Sequence, residues 1–213
     1  PKYSYSKFMP FFKLKVRNKK EIVTLRSKGV DPENITGKKI KPKYWNNLIS
    51  DKKTILIDLR NNFEVEMGTF KNSINPNTKS FTDFKSYLKN NLKKAKDKKI
   101  AMFCTGGIRC EKMSSYMIKK GFKDVNQLDG GILSYLEKTS QDNSLWNGEC
   151  FVFDNRVSVQ NELKDGTYDL CYACQYPISQ NMLKSKKYEK GISCPYCYGK
   201  ISESKKQSLK DRS

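Results

Sequence analysis

The sequence predicts an α/β protein, a parallel sheet with flanking helices, followed by a small cysteine-rich unit. Three observations carry this reading. Short apolar runs (Thr54 to Leu59, Ile100 to Phe103, Val125 to Leu128) alternate with stretches whose apolar residues recur at helical spacing. Paired glycines, Gly106-Gly107 and Gly130-Gly131, turn the chain between them. Near the C-terminus two Cys-x-x-Cys pairs, Cys171/Cys174 and Cys194/Cys197, stand where few large aliphatic residues are found.

Taken in order, residues 1–43 hold 13 basic and 3 acidic residues, and so carry +10 of the chain's +20. Phe12, Leu14 and Val16 alternate with basic residues and predict a short strand with one wet face, and Ile22 to Leu25 predicts a second. Gly29 to Pro42 is rich in turn formers and reads as a linker. The chain starts at Pro1, and an upstream portion is expected. Residues 44–139 are expected to form the α/β domain. Tyr44, Trp45, Leu48 and Ile49 predict a short amphipathic helix. The strand from Thr54 ends at Asp58 and Arg60. Phe81, Phe84, Leu88 and Leu92 predict a second helix, whose Lys-rich tail suits its negative C-terminal end. Met113, Tyr116 and Met117 mark a third, stopped by Gly121. Ile132, Leu133, Tyr135 and Leu136 mark a fourth. Ser140 to Gly148 reads as a polar link, and Glu149 to Val159 as a hairpin. Residues 140–201 are expected to form the cysteine-rich unit, and 202–213 a disordered tail.

The chemistry centres on Cys104-Thr105-Gly106-Gly107-Ile108-Arg109-Cys110. Ligands of parallel sheets gather at the C-terminal ends of strands, and Cys104 ends one. The two glycines let loop N–H groups turn inward as an anion-binding nest. The following helix start and the Arg109 cation add to that field, so the Cys104 thiol should ionise below the usual ~8.5. The alternative is a buried structural cysteine. Cys110 is either a core-facing thiol or a group that resolves a persulfide. Asp58 and Arg60 fit an ion pair bracing the sheet edge better than a catalytic role. Asp154 and Arg156 either support the Cys104 loop or pair on a hairpin surface. The chain has no His, which removes imidazole as base or ligand.

The two Cys-x-x-Cys pairs are separated by nineteen residues, the spacing of a four-thiolate structural zinc site on Cys171, Cys174, Cys194 and Cys197. The rival, a pair of redox dithiols, lacks the surrounding βαβ pattern. Such cysteine usage suits a reducing cytoplasm. Tyr172, Tyr176, Tyr188, Tyr196 and Tyr198 interleave with lysines, which fits either stacking on unpaired bases or cover for the zinc site. The basic excess points to RNA, against the alternative of an AT-rich genome that favours Lys and Asn. No apolar stretch approaches the ~20 residues of a membrane span, and no signal-peptide core is present, so no membrane partner is expected.

Several segments together resemble one family. Cys104 to Lys112 is similar to the active-site loop of the bacterial rhodanese-like tRNA uridine hydroxylases. Ile57-Asp58-Leu59-Arg60, then Phe63-Glu64-x-x-x-Gly68-Thr69-Phe70, Ile74-Asn75-Pro76 and Leu128-Asp129-Gly130-Gly131-Ile132 follow the rhodanese order. Phe151-Val152-Phe153-Asp154-x-Arg156-Val157 and the paired cysteine knuckles match the later part of the same family, and the resemblance spans Lys13 to Cys197. It implies a rhodanese-like sheet with a zinc-ribbon-like unit behind it, and Cys104 as the essential, persulfide-forming or otherwise reactive thiol. The implied activity is that of a monooxygenase-type oxidoreductase, oxygen-dependent 5-hydroxylation of the wobble uridine. Molecular oxygen and a reductant would be co-substrates, and the anticodon region of tRNA the partner. A small α+β domain would precede, with Lys13 to Pro42 as its tail. No flavin or haem motif is visible. Thr69 stands where rhodaneses usually carry His, so no role is given to it. Two other readings compete: a sulfurtransferase in which Cys104 carries a persulfide to tRNA or a small thiol, and a non-catalytic RNA-binding module. A phosphatase is disfavoured, because Cys104 and Arg109 enclose four residues, one fewer than a phosphate-wrapping Cys-x5-Arg loop.

Overall fold

The computed structural model describes residues 8–211. Residues 1–7 of the basic N-terminal segment and the last two of the expected disordered tail lie outside them. The described chain divides into two compact units, one of residues 15–151 and 160–164, the other of residues 8–14, 152–159 and 165–211.

In the first unit the backbone runs β1 (Lys38–Ile40), α1 (Pro42–Ser50), β2 (Thr54–Asp58), α2 (Asn62–Val65), β3 (Gly68–Phe70), α3 (Phe84–Asn91), β4 (Lys99–Phe103), α4 (Ile108–Lys119), β5 (Asp124–Leu128), α5 (Gly131–Lys138) and β6 (Trp146–Gly148). β1, β5, β4 and β2 lie side by side in that order, every pair parallel. β3 pairs antiparallel with β6. Successive residues of a strand point to opposite faces. Ile100 and Met102 of β4 therefore join Phe84 and Leu88 of α3 and Met113 and Met117 of α4 in one core. Phe103 goes to the other face, where the Phe70 ring is the hub. Trp45, Phe103, Tyr135 and Trp146 lie 6.1, 4.8, 4.7 and 5.1 Å from it, centroid to centroid. Cover on both faces is why these strands read as apolar runs rather than as alternation. α4 forms because Cys110, Met113 and Met117 recur on one buried face, and it ends before Gly121, whose φ of 87° is left-handed.

Four expectations are corrected here. Phe12, Leu14 and Val16 form no strand; they are 84%, 93% and 91% exposed, an alternation without a partner edge. Ile22 to Leu25 also lies outside the sheets. Leu25 is instead buried in the α3–α4 core, where the Glu21 carboxylate accepts its N–H and pairs with Lys112 of α4 at 2.8 Å. The stretch read as a linker carries β1, the edge strand beside β5. Ser140 to Gly148 is not a link, because β6 within it pairs with β3 and buries Trp146. The compact first unit consequently includes residues up to 151.

The second unit has little regular structure. Asp169–Leu170 pairs antiparallel with Pro177–Ile178, and the Val152 N–H donates to the Val157 carbonyl at 2.9 Å to close a tight turn. Its core is Cys171, Ala173, Ile178, Cys194 and Cys197, ringed by Met182, Tyr188 and Leu209 among others. The expectation of a disordered tail is corrected over Glu203–Lys210, which is helical. Ser202 caps that helix by accepting the Lys205 N–H, Glu203 pairs with Lys206, and Leu209 anchors it on the cysteine core. Among the described residues, no helix is long and apolar enough to cross a membrane.

Candidate active site

β4 ends at Phe103, and the chain bends at once through Thr105, Gly106 and Gly107 into α4. Gly107 is the residue before the helix, with φ 94°, a conformation that costs a side-chain-bearing residue about 1–2 kcal/mol. That turn aims the Gly107 N–H at the Cys104 sulfur, 3.2 Å away. The loop carbonyls face the other way and are taken up by α5: Ile132 N–H donates to the Cys104 carbonyl at 3.0 Å and Leu133 N–H to that of Thr105 at 3.1 Å. This approach needs glycine at 131, since a Cβ there would stand 2.5 Å from the Thr105 carbonyl oxygen. With carbonyls held back and N–H groups presented, the loop favours an anion at Cys104.

Burial alone would push the Cys104 thiol up. A hydrogen bond from the Cys110 side chain, the Arg109 cation and the N–H groups of Cys110 and Gly107 outweigh it and bring the thiol down to about 6. Cys110 moves the opposite way, held well above the ordinary range by its burial and by the neighbouring Cys104 charge. One sulfur is the anion and the other the proton donor to it. Cys104 is 1% exposed, while Gly106 borders open space and Ile108 is 46% exposed, so these two form the loop's outer surface.

Arg109 is fixed by a partner that the sequence pattern does not single out. Its Nη1 and Nη2 each donate to the fully buried Glu64 carboxylate at 2.7 Å, and Nη2 also reaches Thr105 Oγ1 at 3.2 Å. Glu64 in turn accepts the Asn61 N–H at 3.0 Å and the Thr105 hydroxyl at 3.3 Å. In the sequence, Glu64 shows itself only by its place in the Phe63-Glu64-x-x-x-Gly68 segment and by standing three positions after Asn61, a capping-box spacing.

Behind this lies a second buried pair. Arg60 donates to Asp58 Oδ1 at 2.9 Å and Oδ2 at 2.6 Å, to the Glu64 carbonyl at 3.1 Å and to the Gly68 carbonyl, and sits 5.0 Å above the Trp146 ring. Thr69 Oγ1 donates to Asp58 at 2.8 Å. Asp58 and Arg60 thus join β2, α2 and β3 without reaching the sulfur themselves. Cys150 lies in the same charged surroundings; burial pushes its thiol up to about 12, with the Arg60 cation opposing. Asp154 and Arg156 belong to the second unit and pair with each other at 2.6 Å.

Comparison with known proteins agrees with this geometry over the sheet unit: residues 41–138 match the rhodanese-like domain family. Residues 41–138 are a rhodanese-like domain. A rhodanese-like domain protein from Staphylococcus aureus is similar over 46% of this chain and 90% of its own, at 23% identity and a TM-score of 0.39. A rhodanese-related protein from Thermoplasma volcanium is similar over 47% of this chain and 92% of its own, at 26% identity and a TM-score of 0.36. The reduced Bacillus anthracis CoADR-RHD is similar over 46% of this chain, at 24% identity and a TM-score of 0.40, and this chain spans only 16% of its length. In the rhodanese-like domain, Cys104 occupies the strand-to-helix loop that both the sequence pattern and the fold single out.

Outside that domain, the sulfurs of Cys171, Cys174, Cys194 and Cys197 all lie within 4.8 Å of one another. Three of the separations are 3.9, 3.7 and 3.7 Å. A tetrahedron with Zn–S bonds of about 2.3 Å has edges of about 3.8 Å, so the four thiolates fit a zinc ion. Tight turns build each knuckle: Gln175 N–H donates to the Cys171 carbonyl at 2.7 Å, and Tyr198 N–H to that of Cys194 at 2.9 Å. Of the tyrosines around it, Tyr176 and Tyr196 stack on each other at 3.9 Å, and Tyr172, Tyr196 and Tyr198 are exposed.

Proposed function

We propose that this chain modifies tRNA, hydroxylating C5 of the wobble uridine with molecular oxygen and a reductant, with Cys104 as the essential thiolate. The observation that carries a chemical role is the Cys104 sulfur itself, with its pKa brought down to about 6, set among N–H donors and the Glu64-held Arg109. A thiolate so placed has a lone pair for an electron-poor carbon of a base or for a sulfane sulfur. The choice of hydroxylation rests on the ordered resemblance of three segments: the Cys104 loop, Phe151 to Val157 and the paired knuckles. The chain's net charge of +20 supports a polyanionic partner.

Sulfur transfer is the second reading. Rhodanese-like domains are a family of sulfurtransferases and persulfide-related proteins, and a nest of loop N–H groups suits a persulfide anion as well as a thiolate. In that reading Cys104 accepts the outer sulfur of a sulfane donor and passes it to tRNA or a thiol.

Nucleoside mass spectrometry of tRNA from a deletion strain decides between them. The strain is complemented with the complete gene, with the Cys104→Ala variant or with nothing. Loss of 5-hydroxyuridine and its derivatives, restored only by the intact cysteine, is the expected result. Loss of thiolated uridine instead would make the protein a sulfurtransferase, and unchanged tRNA would leave a binding module.

A further inference from the structure

A second feature of the sheet unit lies away from the sulfur. The ends of α3 and α4 enclose a groove of about 420 Å³. Five lysines converge on it, Lys85, Lys89, Lys93, Lys96 and Lys120, and no carboxylate lines it. Among the described residues none of the five takes part in an ion pair; Lys85 donates to the Arg26 carbonyl, and Lys120 lies 5.6 Å from the Tyr116 ring centre. The floor is apolar, from Leu88, Tyr116 and Phe122. The nearby Asp97 is already neutralised by Lys123 at 2.7 Å. Helix C-termini do attract cations, and Lys89 and Lys119 in the last turns of α3 and α4 meet that need. The remaining lysines repel one another without an internal partner, which is what a site for an external polyanion requires.

We infer that this groove grips backbone phosphates of an RNA stem, a second contact for the substrate whose loop reaches Cys104. The inference rests on the tRNA reading above and adds where the RNA lies. α4 is twelve residues long, so about 18 Å separates the Cys104 loop at its first turn from the groove at its last. A hairpin RNA that spans this distance, passing over residues 21–37 where they pack on α4, presents unpaired bases to the loop and stem phosphates to the lysines. Leu88 and Phe122 share the lining with these lysines, whose long stems let the ammonium groups stand clear of an apolar floor, and binding through phosphates leaves the stem sequence free.

The test is fluorescence anisotropy with a labelled anticodon stem-loop RNA over a range of salt. The Lys89→Ala/Lys93→Ala/Lys96→Ala variant should bind at least about tenfold more weakly. Its salt dependence should be flatter, by about 0.9 in log–log slope for each duplex phosphate it no longer neutralises. The matching Lys→Arg variant should bind like the parent. So should Lys52→Ala/Lys53→Ala/Lys138→Ala, which removes the same charge from elsewhere on the unit. Equal melting temperatures exclude a folding defect. Unchanged affinity and slope in the groove variant would overturn the inference while leaving an RNA substrate in place. Failure of the parent chain to bind the hairpin would overturn both. Groove-dependent binding of tripolyphosphate with no groove-dependent binding of RNA would make this a small-anion site and overturn the inference alone.

Discussion

The two units are held together by different means. The sheet unit buries large side chains on both faces, with Phe70 touching four aromatic rings on one and α3 and α4 closing the other. Around its cysteines the second unit buries Ala173 and Ile178, with Val152, Val157, Val159 and Ile192 as further small buried side chains and no buried aromatic ring among the described residues. A unit of that size buries too little apolar area to offset its chain entropy. Four sulfurs at tetrahedral spacing take over the task. In the first unit stability is spread over many contacts, each replaceable in part; in the second, a metal held by the four sulfurs would concentrate it at one point.

That contrast can be broken most severely at the sulfurs. Structural zinc contributes about 10–16 kcal/mol of apparent binding free energy in small domains. Cys171→Ser, or chelation of the wild type, should therefore release one zinc per chain by elemental analysis and open residues 165–211 to protease, leaving the sheet unit intact. A metal-free wild type with normal protease resistance would remove the distinction between the units. Next in size, Phe70→Ala should cost about 3–5 kcal/mol in urea unfolding of the sheet unit while its zinc content stays at the wild-type level. A loss below about 1 kcal/mol would mean that the aromatic cluster is not the core of that face.

Smaller in stability but sharper in function is Glu64→Gln. It keeps the shape of the side chain and removes the charge facing Arg109, for a loss of about 1.5–3 kcal/mol. With Arg109 less firmly held, the Cys104 pKa should rise from about 6. Thiolate absorbance against pH, with Cys104→Ala subtracted, reads this directly; a midpoint unmoved by the substitution would show that Glu64 acts only on packing. The last test is the pH dependence itself. The Cys104 thiol is more acidic folded than unfolded, so its contribution to stability is full above its unfolded value near 9.0 and is lost as pH falls through about 6. Cys110, raised on folding, contributes below 9.0 and loses its contribution above it. The sheet unit should accordingly gain stability between about pH 6 and 9, and a flat profile there in Cys104→Ala would assign the gain.

Much of this is legible in the sequence where the signal is local. The strand of Ile100 to Phe103, the double glycine and the helix spacing of Met113 and Met117 lie close together along the chain, and jointly they locate Cys104. The cysteine pairs state their own spacing. What stays hidden depends on partners far apart in the chain. Glu64 and Arg109 are 45 residues apart, and nothing near either one says that they meet. β1 is three residues, Lys-Lys-Ile, too short to show a period and recognisable only by β5 beside it. The error at Phe12, Leu14 and Val16 is the converse: an alternation sufficient for a strand, with no edge in the described structure for it to join. The helix of Glu203–Lys210 escapes a reading by pattern because one residue, Leu209, supplies its apolar anchor in a polar run.

The position of β1 brings the sheet edge within a few hydrogen bonds of the loop that carries the sulfur. The Ile40 carbonyl accepts the Asp129 N–H at 2.9 Å; two residues later α5 begins, and its Ile132 N–H holds the Cys104 carbonyl at 3.0 Å. The register of that edge strand and the peptide planes that aim N–H groups at the thiolate are thus set by adjoining stretches of one chain.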